Sequence, residues 1–217
     1  MIRSSDRPPR ICMVSASYYP DDPRPRREAE ALVQAGFGVD VICLRKEGEA
    51  GRERVGGVAV HRLPVRRSRA GRVRYLLDYA LFFLLALFTL AALHPRRWYR
   101  IIHVHNMPDA LVFCAILPRI AGARVILDLH DPMPEVYRTK YDLPAEHRVI
   151  RLLRFLERRS IAFADLVLTP NLAFRELFVD RGCPASKVHI IMNSPDPRIF
   201  AAREPEATAA GGAGGPR

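Results

Sequence analysis

Short apolar runs alternate along the chain with longer stretches whose apolar positions recur at helical spacing, and that alternation predicts parallel strands joined by helices. Residues 11–16 read as a first strand, and Pro25 opens a helix that runs to Ala35 and stops at Gly36. Strands follow at 39–44 and 58–62, separated by a charged, glycine-rich turn region at 46–57. Further strands are predicted at 101–105, 125–129, 166–168 and 188–192. Between them lie a helix at 108–120, a proline-rich loop after His130 and Asp131, an amphipathic helix at 146–163 carrying Val149, Leu152, Leu153 and Leu156, and a helix capped by Asn171. The fold class is α/β, a doubly wound, mostly parallel, Rossmann-like sheet, in which ligands bind at the carboxyl ends of the strands.

The 217 residues suffice for one domain, placed at 10–200, with a polar start at 1–9 and an Ala/Gly-rich tail at 201–217 that are expected to be disordered. Charge is unusual: 34 Lys and Arg against 23 Asp and Glu give +11, which favours anionic partners. Nucleic acid is not expected among them, because no recognised nucleic-acid motif or aromatic interleaving accompanies the charge. Cys12, Cys43, Cys114 and Cys183 form no CxxC pair and mostly sit in apolar runs, so they read as reduced, buried thiols of a cytoplasmic protein.

Residues 79–93 contain no charge, and as a helix these 15 residues are about 22 Å long, short of a bilayer core of about 30 Å. Arg72 and Arg74 precede the run, Arg96, Arg97 and Trp98 follow it, and Phe82 and Phe83 lie within it. Such a segment fits a buried crossover helix, a helix lying in the headgroup region of an anionic leaflet, or a span, and the pattern by itself leaves all three open. For the headgroup reading these seven residues are the expected membrane contacts, at the inner face of the membrane.

No G-x-G-x-x-G, P-loop or G-x-S-x-G elbow occurs, which argues against dehydrogenases, ordinary NTPases and serine hydrolases of the usual kinds. Polar residues follow three strands instead: 21–27, 103–106 and 128–135. Arginines opening a helix, as at 24, 26 and 27, suit a phosphate or carboxylate shared with the helix N-terminus, or else a solvated basic turn. His103 and His105 share one face of a strand, but two ligands fall short of a metal site, so no metal is expected; His103 reads as a core residue and His105 as facing the cleft. His130-Asp131, set directly after an apolar strand and before two prolines, is the sharpest polar pair.

Taken in order, the stretches 19–32, 101–106, 125–135 and 188–200 resemble the N-terminal, acceptor-binding domain of retaining glycosyltransferase family 4, whose members have the two-domain GT-B fold and move a sugar from a nucleotide sugar to an acceptor. The resemblance implies catalytic roles for His130, which would contact the donor sugar or acceptor hydroxyl, and Asp131, which would orient it. It implies cleft positions for Arg24, His105, Asn106 and Glu135. It also implies a lipid-linked or saccharide acceptor, a nucleotide-sugar co-substrate and no resident cofactor. Two departures stand out: the first loop lacks the paired glycines some members place near the donor phosphates, and no two glutamates have the E-x7-E spacing of the family's donor half. The expectation is therefore an acceptor-binding half at a membrane surface that lacks the donor-binding half and is inactive alone, either a truncated reading frame or a subunit of a split transferase; the alternative is a non-catalytic basic module on an anionic membrane.

Overall fold

The computed structural model describes residues 8–66 and 72–193. The expected disordered tail, Ser194 to Phe200 of the last matching stretch, the first seven residues and the side chain of Arg72 lie outside the described residues.

The strands are β1 (Arg10–Tyr18), β2 (Gly38–Leu44), β3 (Arg52–Val55), β4 (Val58–Leu63), β5 (Ile101–His105), β6 (Arg124–Asp128), β7 (Leu166–Thr169) and β8 (Val188–Ile190). They form one sheet in the order β3-β4-β2-β1-β5-β6-β7-β8, parallel except for the β3-β4 pair. The helices are α1 (Pro23–Gln34), α2 (Arg72–Arg97), α3 (Ile116–Ile120), α4 (Met133–Tyr141), α5 (Arg148–Phe163) and α6 (Leu172–Asp180), with a 3-10 turn over Asp109–Ala115 leading into α3. The doubly wound α/β reading holds.

Alternation along the strands assigns the two sides of the sheet. Cys12, Val14, Ile102, Val104, Val125 and Leu127 join Phe82, Ala86 and Leu90 of α2 and Phe178 of α6 in the larger apolar core. Ile11, Met13, Val39 and Val41 pack on the other side with Ala29 of α1. The order in which strands are added reverses between the parallel neighbours β1 and β5: α1 carries the chain from β1 to β2 on one side, and α2 brings it back from β4 to β5 on the other. A crevice at the carboxyl ends of β1 and β5 follows from that switch.

Two elements differ from the sequence reading. The region 46–57 is not all turn: β3 pairs with β4 across Gly56-Gly57, whose φ values of 56° and 85° are those of a tight hairpin turn. A side chain at Gly57 would also bring a Cβ to 2.9 Å from Val33 of α1. The exposed charges Arg52, Glu53 and Arg54 conceal this strand from an apolar pattern and protect the sheet edge. Likewise the proline-rich loop after Asp131 is helix α4, because Pro134 occupies its first turn, where a missing N–H costs nothing.

Helix α2 extends the uncharged run at both ends into the arginines and, at 26 residues, reaches about 39 Å. Its length and composition would permit a membrane crossing. Asp78, Phe82, Ala86, Leu90 and His94, however, form a buried stripe against the sheet, so α2 is the crossover helix of the domain. Phe82, expected as a membrane contact, is only 1% exposed and belongs to the core, and Phe83 is partly buried against it. The outward face is nevertheless apolar: Leu76, Leu77, Leu81, Leu84 and Phe88 are exposed, beside Ile116, Leu117 and Ile120 of α3. All four cysteines are free and buried, as their apolar surroundings in sequence suggest.

Candidate functional site

A crevice of about 560 Å³ opens at the switch point, lined by Ser15 and Ser17 at the end of β1, Asp22, Arg24 and Arg27 at the start of α1, and Asn106, His130, Asp131 and Asn193 beyond β5, β6 and β8. Larger hollows lie along α5 and near α3, away from the strand ends. The topology, not the volume, singles out the switch-point crevice.

Local sequence builds its walls. The Asp22 carboxylate caps α1 by accepting from the Arg24 N–H at 3.3 Å, and Pro23 and Pro25 fix the first turn. Arg24 thereby lies buried along the crevice, its Nε donating to Asn193 Oδ1 at 2.9 Å, while Arg27 Nη2 reaches the same oxygen at 3.4 Å. Among the described residues no carboxylate lies within ion-pair distance of either guanidinium. Their charge is therefore not balanced by a carboxylate among the described residues, an arrangement that could accept an anionic group.

Asn106 joins the β5 and β6 loops. Its Oδ1 accepts from the His130 N–H at 2.9 Å, and its Nδ2 donates to the Asp131 carbonyl at 2.8 Å and to Asp109 Oδ1 at 3.0 Å. One amide thus fixes the backbone on either side of His130. Asp109 lies wholly inside, and burial pushes its carboxyl up to about 7 although the Asn106 hydrogen bond opposes this. The Asp131 side chain is exposed on the crevice rim, and His130 is half-buried beside it. His130 Nε2 meets His105 Nδ1 at 3.2 Å and stands 3.6 Å from Asp128 Oδ2, which commits that nitrogen to the interior and leaves Nδ1 for a ligand.

Two expected cleft residues lie elsewhere. His105 is 1% exposed and sits beneath His130, because i and i+2 positions on β5 face the same way and both turn toward α1. Glu135 points away from the crevice from the first turn of α4 and pairs with Arg181, whose Nη1 also holds Glu157 at 2.9 Å. The outer positions of the membrane set divide: Arg74, Arg96 and Trp98 are exposed, whereas Arg97 is half-buried with its Nε 3.7 Å from buried Asp40.

Sequence spacing did not reveal what surrounds His103 and His105. The two rings stack at 4.4 Å, and Glu28 of α1 and Asp128 of β6 stand on either side of them. Burial would raise the Asp128 carboxyl, but the facing His103 and His105 imidazoles outweigh it and hold its pKa well below the usual carboxylate range. Asn193 was likewise missed as a partner of Arg24; only its place after the last strand hinted at the crevice.

Comparison with known proteins bears on this arrangement. No curated protein matches the chain in sequence. In solved structures, the sucrose-phosphate synthase of Thermosynechococcus elongatus superposes with a TM-score of 0.65 at 16% identity, over 88% of this chain and 50% of that one. The catalytic domain of starch synthase IV from Arabidopsis thaliana, bound to ADP and acarbose, gives 0.62 at 14% identity over 88% and 52%. Anabaena HepE in complex with UDP-glucose gives 0.52 at 17% over 88% and 45%. The chain thus spans about half the length of these proteins. The family model of the glycosyl transferase 4-like domain matches residues 23–194, which take in the crevice from α1 to the loop beyond β8. The chain therefore belongs to the glycosyl transferase 4-like family, and its α/β sheet is the N-terminal half of a GT-B glycosyltransferase fold.

Proposed function

We propose that this domain binds the acceptor in a retaining sugar transfer whose nucleotide-sugar donor is held by a second, donor-binding half, and that it does so at the inner face of an anionic membrane. The observation that carries the reading is the convergence of Arg24, Asn106, His130 and Asp131 on one crevice at the switch point. In this reading His130 Nδ1 meets a hydroxyl of the transferred sugar or acceptor, Asp131 orients it, and Arg24 with Arg27 balances negative charge at the crevice floor. Asn106 touches no substrate; it holds the His130 and Asp131 backbone in place. No resident cofactor is required for these roles.

The transfer is tested with the 217-residue chain alone and with a donor-binding GT-B half added. Turnover of radiolabelled nucleotide sugars onto lipid-linked saccharides is expected only in the mixture. Multiple turnover by the chain alone, retained in a His130→Ala control, would show contamination; turnover abolished by that substitution would disprove the need for a second half.

The membrane reading rests on the outer face of α2, where Leu77, Leu81, Leu84 and Phe88 are exposed between Arg74 and the Arg96-Trp98 end. Each Arg near an anionic surface contributes on the order of 1 kcal/mol and fades with salt, whereas the apolar face adds a salt-resistant part. Flotation with phosphatidylglycerol vesicles should therefore show partial release at high salt, and Leu81→Ser with Phe88→Ser should weaken what remains. Equal flotation with neutral phosphatidylcholine vesicles would remove the electrostatic part; no flotation at all would leave α2 as a crossover helix only.

A further inference from the structure

Beneath the crevice floor, Glu28, His103, His105 and Asp128 each offer one ligand atom, and these four atoms lie within 4.8 Å of one another. They come from three elements: α1, neighbouring positions on one face of β5, and the carboxyl end of β6. His103, His105 and Asp128 are all at least nine-tenths buried. Glu28 Oε2, His103 Nε2 and His105 Nε2 have no hydrogen-bond partner among the described residues.

His103 Nδ1 and His105 Nε2 lie 3.7 and 3.8 Å from Glu28 Oε2, and His103 Nε2 and His105 Nδ1 lie 3.8 and 3.4 Å from Asp128 Oδ2. Charge-assisted N–H···O bonds are about 2.7–2.9 Å, so these pairs interact through charge at longer range and leave His103 Nε2, His105 Nε2 and Glu28 Oε2 without a close hydrogen bond. A metal ion takes one nitrogen from each ring, and with one atom per residue the four groups lie within 4.8 Å of one another, against roughly 3.3 Å between ligand atoms at metal bonds of about 2.0–2.1 Å and tetrahedral angles, so small side-chain rotations would close them on an ion. Burying the Asp128 carboxylate and the Glu28 Oε2 atom beside imidazoles with unused nitrogens is also costly unless positive charge sits among them.

We propose that Glu28, His103, His105 and Asp128 form a binding site for a divalent transition-metal ion, with the two-nitrogen, two-oxygen donor set that suits zinc. The ion would cross-link α1 to β5 and β6 directly below His130, whose Nε2 stands 3.6 Å from Asp128. Its role is to brace the crevice floor. The inference is independent of any sugar transfer.

The test uses tag-free full-length chain stripped with a chelator and titrated with zinc chloride by calorimetry, followed by cobalt(II) absorption. One equivalent of zinc, a rise in melting temperature with zinc concentration, and the visible bands of tetrahedral cobalt are expected. His103→Gln and Glu28→Gln should each weaken zinc binding by about tenfold or more, while His189→Gln, on the exposed β8 edge, should leave it unchanged. No uptake at millimolar zinc, or uptake undiminished in both site variants, overturns the proposal. If the variants fail to fold, X-ray absorption on zinc-loaded wild-type protein decides: two imidazoles with oxygen ligands support the site, whereas a sulfur-containing or all-oxygen shell overturns it.

Discussion

Replacing His130 by alanine is expected to lower sugar transfer by about 100-fold or more in an enzyme completed by a donor-binding half, with only a small loss of stability. The rate term follows from the ring's position: one nitrogen is held by His105 at 3.2 Å, and the other is left at the crevice for a hydroxyl. A positioned donor or acceptor aimed at the reacting group contributes in the transition state, so its removal should lower kcat more than it raises KM. The stability term is larger than a free surface residue would give, because the His105 hydrogen bond is lost; one such bond is worth about 1 kcal/mol. For a domain of this size that is a fall in Tm of about 2–4 °C. Melting and transfer measured on the same preparation separate the possibilities. A large drop in Tm with normal rate per folded molecule would make His130 structural and remove it from the site.

The largest effect on stability should come from Arg181→Met. Glu157 is fully buried, and both of its oxygens accept from Arg181 Nη1, at 3.0 and 2.9 Å. Burial pushes the Glu157 carboxyl up even with this partner, while Glu135 and Glu157 together hold the Arg181 guanidinium above its ordinary value against its own burial. Taking away the cation leaves a carboxylate inside the protein with nothing to balance it, a change that costs about 3–5 kcal/mol. At about 2–4 °C per kcal/mol, Tm should fall by roughly 10 °C. Adding Glu157→Gln should restore most of it, since removing both charges is far less costly than removing one. Glu135 also loses its partner, but it is more exposed and can take water instead. An unchanged Tm in the single variant, or no recovery in the double one, would refute this account of the triad.

Much of the scaffold was legible because its signals are local. Asn171 caps α6 by accepting from the Phe174 N–H at 2.8 Å, as its residue type before an apolar run suggests. The apolar runs that became β1, β2, β5, β6 and β7 carry their faces in strict alternation. Placement at strand ends found Arg24, Asn106, His130 and Asp131 for the same reason: in a parallel sheet it needs only the strand boundary. What escaped depends on partners distant in sequence. An uninterrupted uncharged run shows that α2 is apolar but not which part meets the sheet, so Phe82 falls among the expected membrane contacts although it is core. Glu135 follows the polar pair immediately, yet one helical turn carries it toward Arg181. His105 shares its side of β5 with His103 by simple alternation, but that α1 places Glu28 over both rings is something no local pattern encodes.

The contact between Arg24 and Asn193 makes the two ends of the domain unequal. The chain leaves the described fold at Asn193 on the crevice rim, whereas it enters β1 from the opposite end of the sheet, nine residues and about 30 Å away. A second unit tethered directly at residue 193 would therefore start from the crevice rim, and a short tether there would hold it at about millimolar local concentration without any dedicated docking surface. Lengthening that tether would cost little, since closure entropy grows only logarithmically. For anyone attaching a fluorophore or a surface linker within the described fold, the same asymmetry is practical: next to Asn193 it would crowd the crevice, and just before β1 it would stand about 30 Å from it.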